Sequence, residues 1–297
     1  MEPNRSARED QFLGAILGFA IGDALGRPFS GMSPAEIGAS GARLDIYASD
    51  GDDPGNEVPG EITGISEVML CLVESITTNG GMIDPENINA RLLYLVNGPA
   101  REWLADGTIA GIELAGGRDG LVEVTGAGDS TLEVALRGVP VGLLHAIGGY
   151  DPEIMRQDAG LAARLSHGAA AQAEAVGLVA TLVQDAARAR EVPQTPRQAS
   201  GKDVAVTISR VVTAISGAGT YEDGVAQAIR LGGATNQVGA LAGAILGAAG
   251  VASVIPQHLI DGLDARIYLS LAAPWFFRAA QRRAGTVIDL RVIDPGA

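Results

Sequence analysis

Glycine recurs at every fourth residue in two separate stretches, and few architectures tolerate that. Gly14, Gly18, Gly22 and Gly26 run through QFLGAILGFAIGDALG, and Gly239, Gly243 and Gly247 run through LGGATNQVGALAGAILGAAG. Residues four apart share one face of an α-helix, yet each glycine weakens a helix by about 1 kcal/mol relative to alanine. Close packing of two helix backbones compensates for that loss. The helix over 11–26 is therefore expected to cross the helix inside 231–250, stripe against stripe. The second stretch holds no ionisable residue between Leu231 and Gly250. Its opening pair, Gly232 and Gly233, either permits a left-handed connection or leaves room for a ligand beside the free N–H groups of a helix start.

Aromatic residues make up 4% of a chain that is 47% apolar and contains 41 glycines, so the core is built from Ala, Val, Leu and Ile. That balance suits tight helix-on-helix packing better than a β-sandwich. The expected fold is all-α, one compact helical domain over 11–283, with a disordered N-terminal tail at 1–10 and a C-terminal extension at 284–297. Further helices are expected over 66–77 (capped by Ser66), 84–98, 99–115, 129–147, 151–168, 169–190, 202–216, 221–231, 256–263 and 264–283, the last kinked at Pro274. SDGDDPGNEVPG at 49–60 reads as a solvated acidic loop, because its spacing departs from that of a calcium loop. EVPQTPRQASG reads as a surface linker.

A net charge of −14 argues against nucleic acid as a partner, since phosphate neutralisation needs clustered Lys and Arg. The polar first ten residues do not read as a secretory signal. The apolar segments read as too short or too interrupted to span a membrane. Cys71 sits in the apolar run of its helix, so it reads as core, and a single cysteine fits a reducing compartment. Cytoplasmic localisation follows as the expectation. His145, His167 and His258 show no metal-ligand spacing.

Five stretches resemble the ADP-ribosylglycohydrolases, most of all the dinitrogenase-reductase-activating type. GAILGFAIGDALG at 14–26 is similar to that family's opening helix, and PGEITGISEVMLCLVESI at 59–76 resembles the segment around its Thr-Asp-Asp-Thr metal motif. RGVPVGLLHA at 137–146 and LSHG at 165–168 look like its Met-Arg…Pro and Thr-His stretches. LGGATNQVGALAGAILGAAGVASVIP at 231–256 resembles its second metal motif, Gly-Gly-Asp-x-Asp-Thr. The resemblance implies an all-α domain whose cleft holds ADP-ribose beside two Mg²⁺ ions. This chain departs from the pattern at the ligands. Thr63 keeps the first Thr, Gly64 and Ile65 replace the Asp pair, and Ser66 replaces the second Thr. Ala234, Asn236 and Gln237 stand for Asp, Asp and Thr, Ser30 for a Glu, and Arg101 for the acid of a Pro-x-Asp stretch. Hard divalent cations take oxygen ligands, carboxylates foremost. No metal ligand and no cofactor, divalent metal included, is therefore expected.

The candidate ligand-binding residues are Thr63, Ser66, Gly232, Gly233, Thr235, Asn236, Gln237 and His167. Asn236 either caps its helix or bonds a ligand, and His167 either closes a helix end as a cation or touches the ligand. Asp23 reads as a structural acid bonded to backbone, or as a leftover site acid. The expected function is that of a pseudo-hydrolase binding an ADP-ribose-like nucleotide, another small ligand or a partner protein. The alternative is a metal-independent enzyme that cleaves or rearranges a small substrate, using acids such as Glu61, Glu67, Asp129 or Glu133. A third reading is a regulatory subunit with a closed cleft.

Overall fold

The computed structural model describes residues 5–48, 58–123, 130–193, 203–250 and 252–285. In chain order the helices are α1 (Arg5–Gly26), α2 (Pro34–Ser40), α3 (Gly64–Thr78), α4 (Pro85–Val96), α5 (Asp106–Ala115), α6 (Leu132–Ala135), α7 (Gly138–Leu144), α8 (Pro152–Arg164), α9 (Ala170–Ala189), α10 (Asp203–Ser216), α11 (Tyr221–Ile229), α12 (Thr235–Gly250), α13 (Gln257–Gly262) and α14 (Arg266–Arg283). Short 3-10 turns lie at Arg27–Phe29, Pro99–Trp103 and Ala252–Val254. There is no strand among the described residues.

The glycine stripes meet as expected, antiparallel and in register. A methyl group added at Gly18 would lie 2.2 Å from the carbonyl oxygen of Gly243, and one added at Gly243 would lie 1.9 Å from that of Gly18. Gly22 and Gly239 oppose each other in the same way, at 2.0 and 2.2 Å, and Gly247 faces the Gly14 carbonyl at 1.9 Å. No side chain fits between the two backbones. Tyr221 of α11 donates its hydroxyl to the Gly18 carbonyl at 3.0 Å. Gln11 donates to Ala187 and Ala248 at 2.7 and 3.0 Å, tying α1 to α9 and α12. Phe12 meets Phe276 and Phe277 of α14 with ring centroids 5.6 and 5.1 Å apart.

Several element boundaries differ from the expectation, each for a local reason. α1 begins at Arg5, so residues 5–10 belong to the helix and not to a tail. The apolar helix over Ala7–Phe29 is long enough to cross a membrane by length and composition, contrary to the reading of its sequence, and 89% of its apolar window is buried in protein. Thr63, not Ser66, caps α3: its hydroxyl accepts the Ile65 N–H at 3.4 Å. The expected helix over 129–147 is split into α6 and α7 around Leu136 and Arg137. α2 was not expected, although Ser33 and Glu36 form a capping box with Pro34 at the first helical position. α14, by contrast, holds Pro274 inside one helix, as the expected span over 264–283 has it. At the opposite end from the Asp23 region, Asp158 of α8 accepts from His145 and Arg283 at 2.6 and 2.5 Å, locking the ends of α7 and α14 to α8.

Candidate functional site

Asp23 lies on α1, one turn before Gly26, and is completely buried. Its carboxylate accepts the Thr63 N–H at 2.8 Å, the Thr63 hydroxyl at 2.8 Å and the Ser66 hydroxyl at 2.6 Å. These donors sit at the start of α3, where the helix dipole favours a negative charge. The Thr63 hydroxyl also accepts the Asn236 side-chain amide at 3.3 Å and the Ile65 N–H. A hydroxyl has one proton and two lone pairs, so Thr63 is fully used. Burial raises the Asp23 carboxyl from 3.8 to about 6, while the hydrogen bonds from Ser66, Thr63 and Asn236 pull the other way. One buried acid thus fastens α1 and α3, and through Thr63 it reaches α12.

The sequence-derived candidates fall into two groups. Thr63, Ser66, Thr235 and Asn236 are buried and bonded inside the protein, Thr235 through its hydroxyl to the Gly26 carbonyl at 2.7 Å. Asn236 lies in the first turn of α12 and reaches across to Thr63, so it does not cap that helix. Gly233 is exposed, and Gly232, Gln237 and His167 are half-buried. Both glycines adopt left-handed backbone, φ 71° and 74°, and Gly233 exchanges backbone hydrogen bonds with Gly31 and Met32 at 2.8 Å each. A side chain at 232 would strike Pro34 and the Met32 carbonyl, whereas 233 faces open space.

The sequence profile of the family described as ADP-ribosylglycohydrolase matches residues 4–214 and 195–286. The chain belongs to the ADP-ribosylglycohydrolase family. An uncharacterised protein of Archaeoglobus fulgidus is 28% identical across 92% of this chain and 98% of its own length. A solved structure described as an ADP-ribosylglycohydrolase-related protein complex superposes with a TM-score of 0.72 at 23% identity, covering 93% of this chain and 99% of that one.

At the positions that resemble the family's first metal motif, Gly64 is sealed. A Cβ there would lie 2.7 Å from the Ala100 carbonyl oxygen and 3.2 Å from the Leu104 side chain. Ile65 is 3% exposed and belongs to the core. The Thr63 and Ser66 hydroxyls and the Asn236 amide are already committed to Asp23 and Thr63. Among the described residues, no three His, Cys, Asp or Glu side chains gather in an array able to hold a metal ion.

The acids proposed for metal-free chemistry are differently placed. Glu61 accepts from Arg27 at 2.6 Å, and that largely buried guanidinium also stacks 4.7 Å from the Trp103 ring centre. Arg27 and Glu61 border a shallow hollow of about 10 Å³ with Pro28, Ala48 and Pro59, room for about one water. Glu67 is half-buried, and burial followed by repulsion from Glu61 raises its carboxyl. Asp129 lies outside the described residues. Glu133 accepts the Ala105 N–H at 3.0 Å through one oxygen.

One turn after Glu133, Arg137 is buried and donates to the Ala162 carbonyl at 3.0 Å. Burial lowers its guanidinium to about 10, and Glu133 partly restores it, so it stays charged at neutral pH. His167, bonded to the Ser166 hydroxyl at 2.8 Å, is lowered to about 4 by burial and then by Arg137. A neutral imidazole contributes no cationic cap, which overturns that expectation. His167 contributes to the helix end through its backbone N–H, which donates to the Ala163 carbonyl at 2.9 Å. Cys71 is half-buried, and burial pushes its thiol up to about 12, in keeping with a core residue. Nothing in the spacing of residues signalled the roles of Arg27 and Arg137. Their unusual burial for a charged residue is visible only in the fold.

Proposed function

We propose that this chain is a non-catalytic member of the ADP-ribosylglycohydrolase family, a cytoplasmic binding protein for an ADP-ribose-like nucleotide or another small ligand. The observation that carries this reading is the commitment of Thr63, Ser66 and Asn236 to the buried Asp23 cluster. Two divalent cations do not fit that donor set. It offers one carboxylate, already holding three short hydrogen bonds, where hard cations prefer several anionic oxygens. The accessible remainder of the ancestral site is the Gly233 and Gln237 edge of α12, where the positive end of the helix dipole favours an anionic group such as a phosphate. The test is calorimetric titration with ADP-ribose, with and without Mn²⁺, beside an assay for release of ADP-ribose from ADP-ribosyl-arginine. Metal-independent binding without release is expected. Release that depends on Mg²⁺ or Mn²⁺ would sink the proposal.

A second reading is favoured by one observation, the raised carboxyl of Glu67 beside Glu61. Two neighbouring carboxyl groups in unlike surroundings are the pairing used in metal-free glycoside cleavage. In that case turnover of a nucleoside-like substrate would fall at least about 100-fold in Glu67→Gln. Undiminished turnover in that variant would remove Glu67 from the chemistry.

A further inference from the structure

The outward face of α14 is apolar. Ile267, Tyr268, Leu271 and Trp275 are 68, 50, 63 and 58% exposed. Beside them a groove of about 410 Å³ opens between α14 and α3, lined by Val73, Thr77 and, from α4, Arg91. Single exposed apolar residues are ordinary, but four within nine positions of one helix, bordering a groove, mark an interaction surface.

The charges along that face say what it fits. Asp264, Tyr268, Leu271, Trp275, Arg278 and Arg282 are all exposed and follow one another at intervals of four and three residues. This is the period of a seam between two paired helices. The order of spacings is the same read from either end, acidic at the start, apolar in the middle and basic at the finish. α14 itself contains four arginines and no acid, in a chain of net charge −14.

We propose that α14 joins two copies of this chain about a two-fold axis, antiparallel, with the axis passing near Ala273. Leu271 of one copy then meets Trp275 of the other, the Tyr268 ring meets the Arg278 guanidinium, and Asp264 meets Arg282. Each contact occurs twice, as an isologous interface requires. Arg278 already lies 5.0 Å from the Trp275 ring centre, so the cation is held over the aromatic part of the seam. The groove beside α14 receives the Trp275 ring of the second copy. A parallel pairing would set acid on acid and arginine on arginine, and the antiparallel one removes both repulsions.

Sedimentation equilibrium of the full chain, up to about 100 µM, tests this. A monomer–dimer equilibrium is expected. Leu271→Glu, at an exposed position, should raise the dissociation constant about 30-fold or more with an unchanged circular dichroism spectrum. Asp264→Arg should weaken the dimer several-fold, and Asp264→Arg combined with Arg282→Asp should recover it. A monomer across the whole range would overturn the proposal, as would a dimer indifferent to Leu271→Glu. So would a monomer that dimerises only when residues 286–297 are removed, which would assign the face to the chain's own C-terminal segment.

Discussion

The side-chain amide of Asn236 lies 3.3 Å from the hydroxyl of Thr63, and that hydroxyl donates its own proton to Asp23. Both residues occupy positions that resemble the two metal motifs of the ADP-ribosylglycohydrolases. Here they meet each other directly, and the helix starts that a pair of cations would bridge are joined by hydrogen bonds. Breaking a buried network by removing one partner leaves the others unsatisfied, at about 1–3 kcal/mol for each group.

Asp23 makes stability depend on pH in an unusual direction. Its carboxyl is held at about 6, above the ordinary 3.8. Between about pH 4 and 6 the folded chain therefore keeps a proton that the unfolded chain has released. Its contribution to stability falls as pH rises through that window and is level above it. Asp23→Asn does not titrate, so its stability relative to the parent should rise by about 3 kcal/mol across the window. Urea denaturation of both proteins at a series of pH values measures this, and parallel profiles would refute it.

His167 acts with the opposite sign over much the same range. Its imidazole is lowered to about 4 from 6.5, so the unfolded chain takes up a proton that the folded chain excludes. The contribution is present above about pH 6.5 and is lost as pH falls towards 4. The ring is half-buried, and solvent screening keeps the effect modest. Carbon-13 chemical shifts of the imidazole through a pH titration should show it still neutral at pH 5.

Gly64→Asp restores an acid to the first motif and is expected to harm the protein. The new Cβ meets the Ala100 carbonyl at 2.7 Å, and backbone cannot yield as a side-chain tip can. We expect a loss of about 2–3 kcal/mol and no gain in Mn²⁺ affinity by calorimetry. A well-folded variant that binds Mn²⁺ would contradict this.

Glycine-to-alanine substitution should separate contact from propensity. Gly243→Ala places a methyl 1.9 Å from the Gly18 carbonyl oxygen and is expected to cost about 3 kcal/mol or more. Gly38→Ala, on exposed α2 with nothing within 4 Å, should instead stabilise by about 0.5–1 kcal/mol. Denaturation midpoints give both values, and equal effects would mean the stripes do not govern the packing.

The crossing of α1 and α12 was legible because the 3.6-residue period and the lack of a glycine side chain are local properties with one geometric consequence. Helix existence followed for the same reason, while the break at Arg137 did not, since periodicity carries no record of a guanidinium turned inward. The Asp23 cluster was only half visible. The resemblance pointed to Thr63, Ser66 and Asn236, but the acid that binds two of them stands 40 residues away on another helix, and spacing says nothing of that distance. Arg27 and Glu61, 34 residues apart, were hidden in the same manner.

The close fit of α1 to α12 also sets a timetable. Gln11 reaches its acceptor at Ala248 across 237 residues of chain. At roughly 5–20 residues per second, an apolar helix leaving the ribosome first waits on the order of 10–50 s for the surface that will cover it. During that interval its glycine-lined face is open to any other apolar surface in the cell. Holding α1 soluble until α12 emerges is thus a demand on synthesis, and a rate-limiting late docking of these two helices is the folding behaviour to expect.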